Sequence, residues 1–379
     1  MSRVLKVTAA TVTALALATG TANAVPAGAS STPAQSPAQS PAQSPAQSPG
    51  KVSTITDRLA SQVAAEMADP AVEAHLASAV ASGPADLLKV SPGTALSKEA
   101  GTANQAVLAA KGLPSTSGSL LRLRLANPNA RAALTRGEVP LVAVTPTDDV
   151  KTSVTAYDPR GGKVLLDPVK APDRPVLVVE VDVAKAMPLG LKLMRSTLAA
   201  HGVRDARPAT TKAAPAGGYW ATKINSIRLN DDEEPWIEGD AEIYSIVGGF
   251  GLDGKAAINI VQMPYLDNDG TTYYPNQIIV GFQAYKYNLA DVVMMEDDGD
   301  TNYEALAQAI ADALLTITDQ GTYIPLVNAI LGAIPSSWWT NDPDYVDSWY
   351  TLSTATSGTL TGAAGNGTMD VSPYWVPEL

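Results

Sequence analysis

Four groups of acidic residues stand where this chain could do chemistry. Asn230-Asp231-Asp232-Glu233-Glu234-Pro235 lies between two strand-like runs. Asp267-Asn268-Asp269-Gly270, Glu296-Asp297-Asp298-Gly299-Asp300 and Asp342-Pro343-Asp344 with Asp347 follow it. Acids at the ends of strands can bring oxygens together from distant parts of a chain, and calcium takes six to eight of them at about 2.3–2.6 Å. Asp231, Asp232, Glu234, Glu242, Glu296 and Asp298 flank the most regular runs and are the expected ligands of a structural calcium ion. No group is an EF-hand. With Glu296, Asp298 and Asp300 at the first, third and fifth ligand positions, Thr301 falls where glycine is required. The competing reading is that these acids solvate loops and cap helices, as Asp300 does naturally at a helix start.

Other reaction classes are poorly supplied. The two histidines, His75 and His201, lie in different segments, and neither an HExxH nor a GxSxG motif occurs. Gly248-Gly249-Phe250-Gly251 lacks the lysine and following helix of a phosphate loop. Glu242 and Glu296 could form the carboxylate pair of a secreted hydrolase acting on polysaccharide or peptide. Trp338, Trp339, Tyr345, Trp349 and Tyr350 could stack on sugar rings, although such aromatics more often pack a core.

Charge is unevenly divided. The chain has 26 basic and 38 acidic residues, a net charge of −12. From Tyr219 onward 23 acids face four bases, whereas residues 25–218 carry 15 acids and 20 bases. The acidic part repels nucleic acid and anionic lipid and attracts cations. Opposite charges on the two halves favour docking through a polar interface.

The elements that must position the acids read as α+β. Residues 52–81 have helical spacing broken at Asp69-Pro70, and residues 120–125 alternate leucine with arginine as a short strand does. Residues 139–144, 153–157, 163–166 and 176–181 suggest a small antiparallel meander, and residues 189–198 a helix. Residues 203–218 have the composition of a linker. Beyond it lie strands at 220–229, slipping register near Asn225-Ser226, and at 236–247, 256–263, 273–287 and 290–295. The 236–247 strand places Glu238, Asp240 and Glu242 on one face. Thr301-Asn302-Tyr303-Glu304 reads as a capping box for one helix, Pro325 opens a second, and strands at 346–352, 359–362 and 369–374 close the chain. The expected fold is thus a helical N-terminal segment and small β meander, followed by an antiparallel β-sandwich with a two-helix insertion.

Residues 1–24 have the parts of an export signal: Arg3 and Lys6, a short apolar run, and Ala22-Asn23-Ala24. Without a twin arginine, the general secretory route is expected. In residues 33–48 the tetrapeptide PAQS repeats four times, so residues 25–50 read as a disordered tether. There is no cysteine, and beyond the signal no run is apolar for long enough to span a membrane. The domain scheme is therefore signal (1–24), tether (25–50), α+β domain (51–202), linker (203–218) and acidic sandwich (219–379).

Residues 223–236, KINSIRLNDDEEPW, together with Gly239-Asp240-Ala241-Glu242-Ile243-Tyr244, resemble the signature of a family of secreted bacterial proteins catalogued only as a domain of unknown function. Ala156-Tyr157-Asp158-Pro159, residues 171–179 and the acidic stretch at Glu296 fit the same pattern. The resemblance covers most of residues 52–379 and implies no activity. From the residues alone the expectation is a secreted, non-enzymatic module whose acidic sandwich binds calcium for stability and for contact with an extracellular protein or glycan.

Overall fold

The structure, a computed structural model, describes residues 51–146, 153–207, 217–231, 236–297, 299–319, 321, 326–334 and 345–377. Its first elements follow the apolar spacing of residues 52–80: α1 (Lys51–Glu66) and α2 (Pro70–Val80). Asp69 separates them by accepting the Ala71 N–H at 2.8 Å, and Pro70 sits in the first turn, where its missing N–H costs nothing. Next come β1 (Ala85–Asp86), α3 (Leu87–Val90), α4 (Ala95–Ala110), β2 (Leu121–Leu125) and α5 (Arg131–Thr135). Then follow β3 (Leu141–Val144), β4 (Val154–Asp158), β5 (Gly162–Leu166), β6 (Val176–Val181) and α6 (Val183–Ala200). The acidic half begins with β7 (Arg204–Asp205), β8 (Tyr219–Leu229), β9 (Tyr244–Phe250) and β10 (Ala256–Gln262). It continues with β11 (Thr272–Tyr273), β12 (Gln277–Gly281), β13 (Leu289–Met295), α7 (Tyr303–Thr316) and α8 (Leu326–Ala333). It ends with β14 (Tyr345–Ser353), β15 (Gly358–Thr361) and β16 (Gly367–Val376).

Three sheets result. The first has the order β1-β2-β6-β3-β4-β5. It is not the simple antiparallel meander that the sequence suggests, because β6 inserts between β2 and β3 and runs parallel to β3. The physical reason is in β6 itself: Val176-Leu177-Val178-Val179 is apolar on both faces, which suits a central strand. Leu177, Val179 and Val181 join the core beneath α1 and α4, while Val176 and Val178 pack with Ile237 on the opposite side.

The other two sheets, β14-β13-β9-β10-β7 and β11-β8-β16-β15 with β12 also on β8, enclose a second apolar core. This is the expected sandwich, and α7 and α8 are its two-helix insertion between β13 and β14. Tyr244, Ile246, Ile258, Val293 and Met295, on the other face of the middle sheet, belong to the same core as α1, α4 and α6. The two halves therefore share a continuous apolar core instead of meeting through a purely polar interface. Residues 203–206, the expected start of a linker, place β7 parallel to β10 with Val203 and Ala206 buried. All described residues fall within one compact unit.

Local departures from the expected pattern have local causes. The slip in β8 is a bulge: Ser226 pairs with Asp370 and Ile224 with Val371, which leaves Asn225 as the extra residue. The run 236–247 becomes a strand only at Tyr244. Gly239 adopts φ +110, and the carbonyls of Ile237 and Glu238 accept from Arg124, so neither can serve a strand ladder. Glu238, Asp240 and Glu242 consequently do not share one strand face. Residues 273–287 are likewise divided, at Pro275 and at Asn276 with φ +51. The cap of α7 is Asn302, whose side chain accepts the Ala305 N–H at 2.8 Å, and not Thr301.

Helices α6 and α7 touch at Gly190, where an added Cβ would stand 2.3 Å from the Tyr303 ring. A helical glycine-to-alanine change on an open face gains about 1 kcal/mol in propensity. Here the overlap is with a ring fixed inside the core, and overpacking of that kind costs about 1–3 kcal/mol. Gly190→Ala is therefore expected to lower the denaturation free energy by about 2 kcal/mol in a urea titration. A variant as stable as the parent would show that the two helices can separate freely.

Candidate functional site

The leucine–arginine alternation of β2 puts Arg122 and Arg124 on the face of the first sheet that lies toward the acidic half. Glu180 stands directly opposite Arg122 on β6. Arg124 grips it with two bonds, Nε to Oε1 at 2.8 Å and Nη2 to Oε2 at 2.6 Å, and Arg122 Nε donates to the same Oε1. Paired donors in this planar fork make a charge-assisted contact of fixed geometry. Arg124 Nη2 also donates to the carbonyls of Ile237 at 2.7 Å and Glu238 at 2.8 Å, which ties the acidic half to the first sheet.

A second charged contact joins the halves from the side of α4. Lys111, at the end of that helix, is completely buried. Its Nζ donates to the Gly299 carbonyl at 2.7 Å, stands 3.6 Å from Asp297 Oδ1 and lies 4.8 Å from the centre of the Tyr303 ring. Asp297, equally buried, accepts the Gly299 N–H at 3.1 Å and the Tyr303 hydroxyl. Burial, followed by the Asp297 charge, holds that phenol well above its ordinary range. An ammonium removed from water survives only with such partners.

Between these contacts lies a cleft of about 30 Å³, with a mouth formed by α1 and the ends of β3 and β6. Its acidic lining is Glu180, Glu238, Glu242, Asp297 and Asp300, and Arg122 is its single basic residue. Glu242 is the unusual member. Desolvation, then the Asp297 charge, pushes its carboxyl from the usual 4.5 up to about 8, against the opposing pull of Arg122. Glu296 is also fully buried: Oε1 accepts the Glu242 N–H at 3.4 Å, and Oε2 has no partner among the described residues.

Of the six expected ligands, Glu242 lines the cleft, and Glu296 lies against the Glu242 backbone without lining it. Asp231 is exposed at the end of β8, held by reciprocal bonds with Asn366, and does not line the cleft. Asp232, Glu234 and Asp298 lie outside the described residues. Two other acidic groups have structural tasks. Asp347 accepts the backbone N–H groups of Ser348, Ala364 and Gly367, and Asp267 accepts the Tyr273 hydroxyl. Among the described residues no three acidic or histidine side chains are arranged to hold a metal ion. Sequence reasoning missed Arg122, Glu180 and Lys111. The first two were signalled by arginines in LRLRL and a lone glutamate in VLVVEV; Lys111 gave no signal.

A family model described as protein of unknown function (DUF3103) matches residues 55–378. The chain belongs to that family. The match takes in both halves and every acidic residue of the cleft lining. No curated protein and no solved structure matches the chain. Family membership therefore brings a fold-length unit without an assigned activity, consistent with the resemblance read from residues 223–244.

The lowered acidity of Glu242 makes a signed prediction. A carboxyl whose folded value of about 8 exceeds its usual 4.5 favours folding below about 4.5, and that support is lost as pH rises toward 8. Glu242→Gln removes the loss. The variant should match the parent near pH 4 and exceed it by up to about 3 kcal/mol at pH 7 in ion-free urea titrations. A difference that does not grow with pH would mean that Glu242 is not desolvated.

Proposed function

We propose that this DUF3103 protein works outside the cell as a binding or structural module whose acidic cleft takes a divalent cation, calcium by the hard-oxygen character of its lining. The observation that carries this reading is the acidic lining of the cleft: Glu238, Glu242 and Asp300 stand beside the paired Glu180 and Asp297, and the Glu242 carboxyl is pushed up to about 8 by desolvation and then by the Asp297 charge. A bound cation would displace that proton and recover the cost of desolvation. Glu242, which lines the cleft, is the proposed ligand among the described residues, and Glu296, set against the Glu242 backbone, would have to turn toward the ion to join it. Asp231, exposed at the end of β8, does not line the cleft. Because the acids do not yet converge, ligation would require side-chain rotation toward the ion. The export-signal composition of residues 1–24 and the PAQS tether support the extracellular setting.

A second reading draws on the same residue. A carboxyl held protonated at neutral pH beside ionised acids suits general acid catalysis in a hydrolase. Size weighs against it. Sites for small organic ligands occupy roughly 300–1,000 Å³, whereas this cleft of about 30 Å³ has room for an ion and one water.

Calcium added to the purified, metal-stripped protein should raise its melting temperature by roughly 5 °C at saturating concentration, and EDTA should reverse the shift. Glu242→Gln should abolish the response. Identical melting curves with and without calcium would remove the cation reading. Hydrolysis of a glycan or of casein that disappears in folded Glu242→Gln would establish the second reading instead.

A further inference from the structure

A second recess shares no residue with the acidic cleft. Tyr265, Tyr273, Tyr274, Pro275 and Gln277 line an open groove of about 520 Å³, beside the connection from β11 to β12. That volume lies within the range of small-ligand sites. Three tyrosines in one groove call for an explanation, since a phenol ring is among the largest apolar faces a chain can bury.

Two of the rings are fixed at their hydroxyl ends. The Tyr265 hydroxyl donates to Gln277 Oε1 at 2.5 Å, and Gln277 Nε2 donates in turn to the Gln262 carbonyl at 2.9 Å. The Tyr273 hydroxyl donates to Asp267 Oδ1 at 2.7 Å and accepts from Asn268 Nδ2 at 3.1 Å. The ring centres are 6.0 Å apart and tilted by 50°. Pinned rings lose little further freedom when a ligand settles on them. Tyr274 differs from both: it is 73% exposed, next to the Pro275-Asn276 break where φ reaches +51. Its ring is a large apolar face that the fold leaves in water.

The surroundings select the ligand. The polar groups that line the groove or hold its rings are the tyrosine hydroxyls, the Gln277 and Asn268 amides and the Asp267 carboxylate, and Gln277 has a second amide N–H to offer. The half of the chain that holds the groove carries 23 acids against four bases, so nucleic acids and other polyanions are repelled. A neutral sugar combines apolar C–H faces with a rim of hydroxyls that both donate and accept. The chain's own proline repeat is a poorer match. Its prolines recur every four residues, whereas a polyproline helix turns every three, so successive rings do not share a face.

We infer that the tyrosine groove is a binding site for a neutral glycan, with Tyr274 stacking on a sugar ring and the Gln277 amide meeting its hydroxyls. The site stands independently of the cation reading. Affinity electrophoresis of the full-length chain through gels containing soluble α-glucan, β-glucan, mannan or galactan tests it. At least one polysaccharide should retard the protein, and Tyr274→Ala should weaken that retardation about tenfold without changing the melting temperature. Glu242→Gln should migrate like the parent, which separates this site from the acidic cleft. The proposal is overturned if none of the four retards the protein, or if Tyr274→Ala is retarded as strongly as the parent. It is also overturned if a peptide of residues 33–50 binds through Tyr274 while the glycans do not.

Discussion

Lys111 carries its amine into the interior, and much of the molecule is arranged to give that amine partners. An unpaired ammonium in an apolar core is untenable, so the chain brings Asp297, the Gly299 carbonyl and the Tyr303 ring to it from the other half of the sequence. Tyr303 opens α7, and its ring in turn needs the bare Gly190 backbone of α6. The arginine pair on Glu180 repeats the device from the first sheet. Together these contacts fix how the sandwich seats on the N-terminal sheet, while the shared apolar core supplies the bulk of the attraction.

The same arrangement accounts for the cleft. Lys111, Arg122 and Arg124 are committed to Asp297, Glu180 and Asp182. Glu296 is buried and Glu242 half-buried beside them, and Arg122 is the opposing charge that acts on Glu242. Glu242 responds in the way burial allows, by keeping a proton to about pH 8. A protonated acid in a confined, carboxylate-lined space has two uses: it can give the proton to a substrate, or exchange it for a metal ion. The small volume of the cleft separates them, because it admits an ion more readily than a sugar or a peptide.

The parts that sequence made legible are those set by local rules. The break at Asp69-Pro70, the bulge at Asn225, most of the sandwich strands and the two inserted helices follow from spacing and turn chemistry within a few residues. The failures lie where distant contacts override local preference. Residues 236–243 alternate like a strand, yet Arg124, more than 100 positions earlier, takes their carbonyls. β6 enters the sheet beside β3 because a strand apolar on both faces belongs at its centre. For the site, acidic spacing pointed to Glu242 and Glu296 but missed Lys111 and Glu180, whose roles arise only when the halves meet. Asp267 is held by the nearby Tyr273 hydroxyl, and Asp347 of β14 by the backbone N–H groups of Ala364 and of Gly367 at the start of β16; spacing alone could not distinguish either acid from a ligand.

The cation reading rests on Glu242, a half-buried carboxyl that desolvation and the Asp297 charge keep protonated to about pH 8. Its carboxyl can be followed directly by NMR titration of protein labelled with carbon-13 at the glutamate side-chain carboxyl, assigned by comparison with Glu242→Gln. The account predicts a midpoint near pH 8 in the metal-free protein, as burial demands, and an ionised carboxyl throughout the neutral range when calcium is in excess. A midpoint near the usual 4.5 that calcium leaves in place would contradict it.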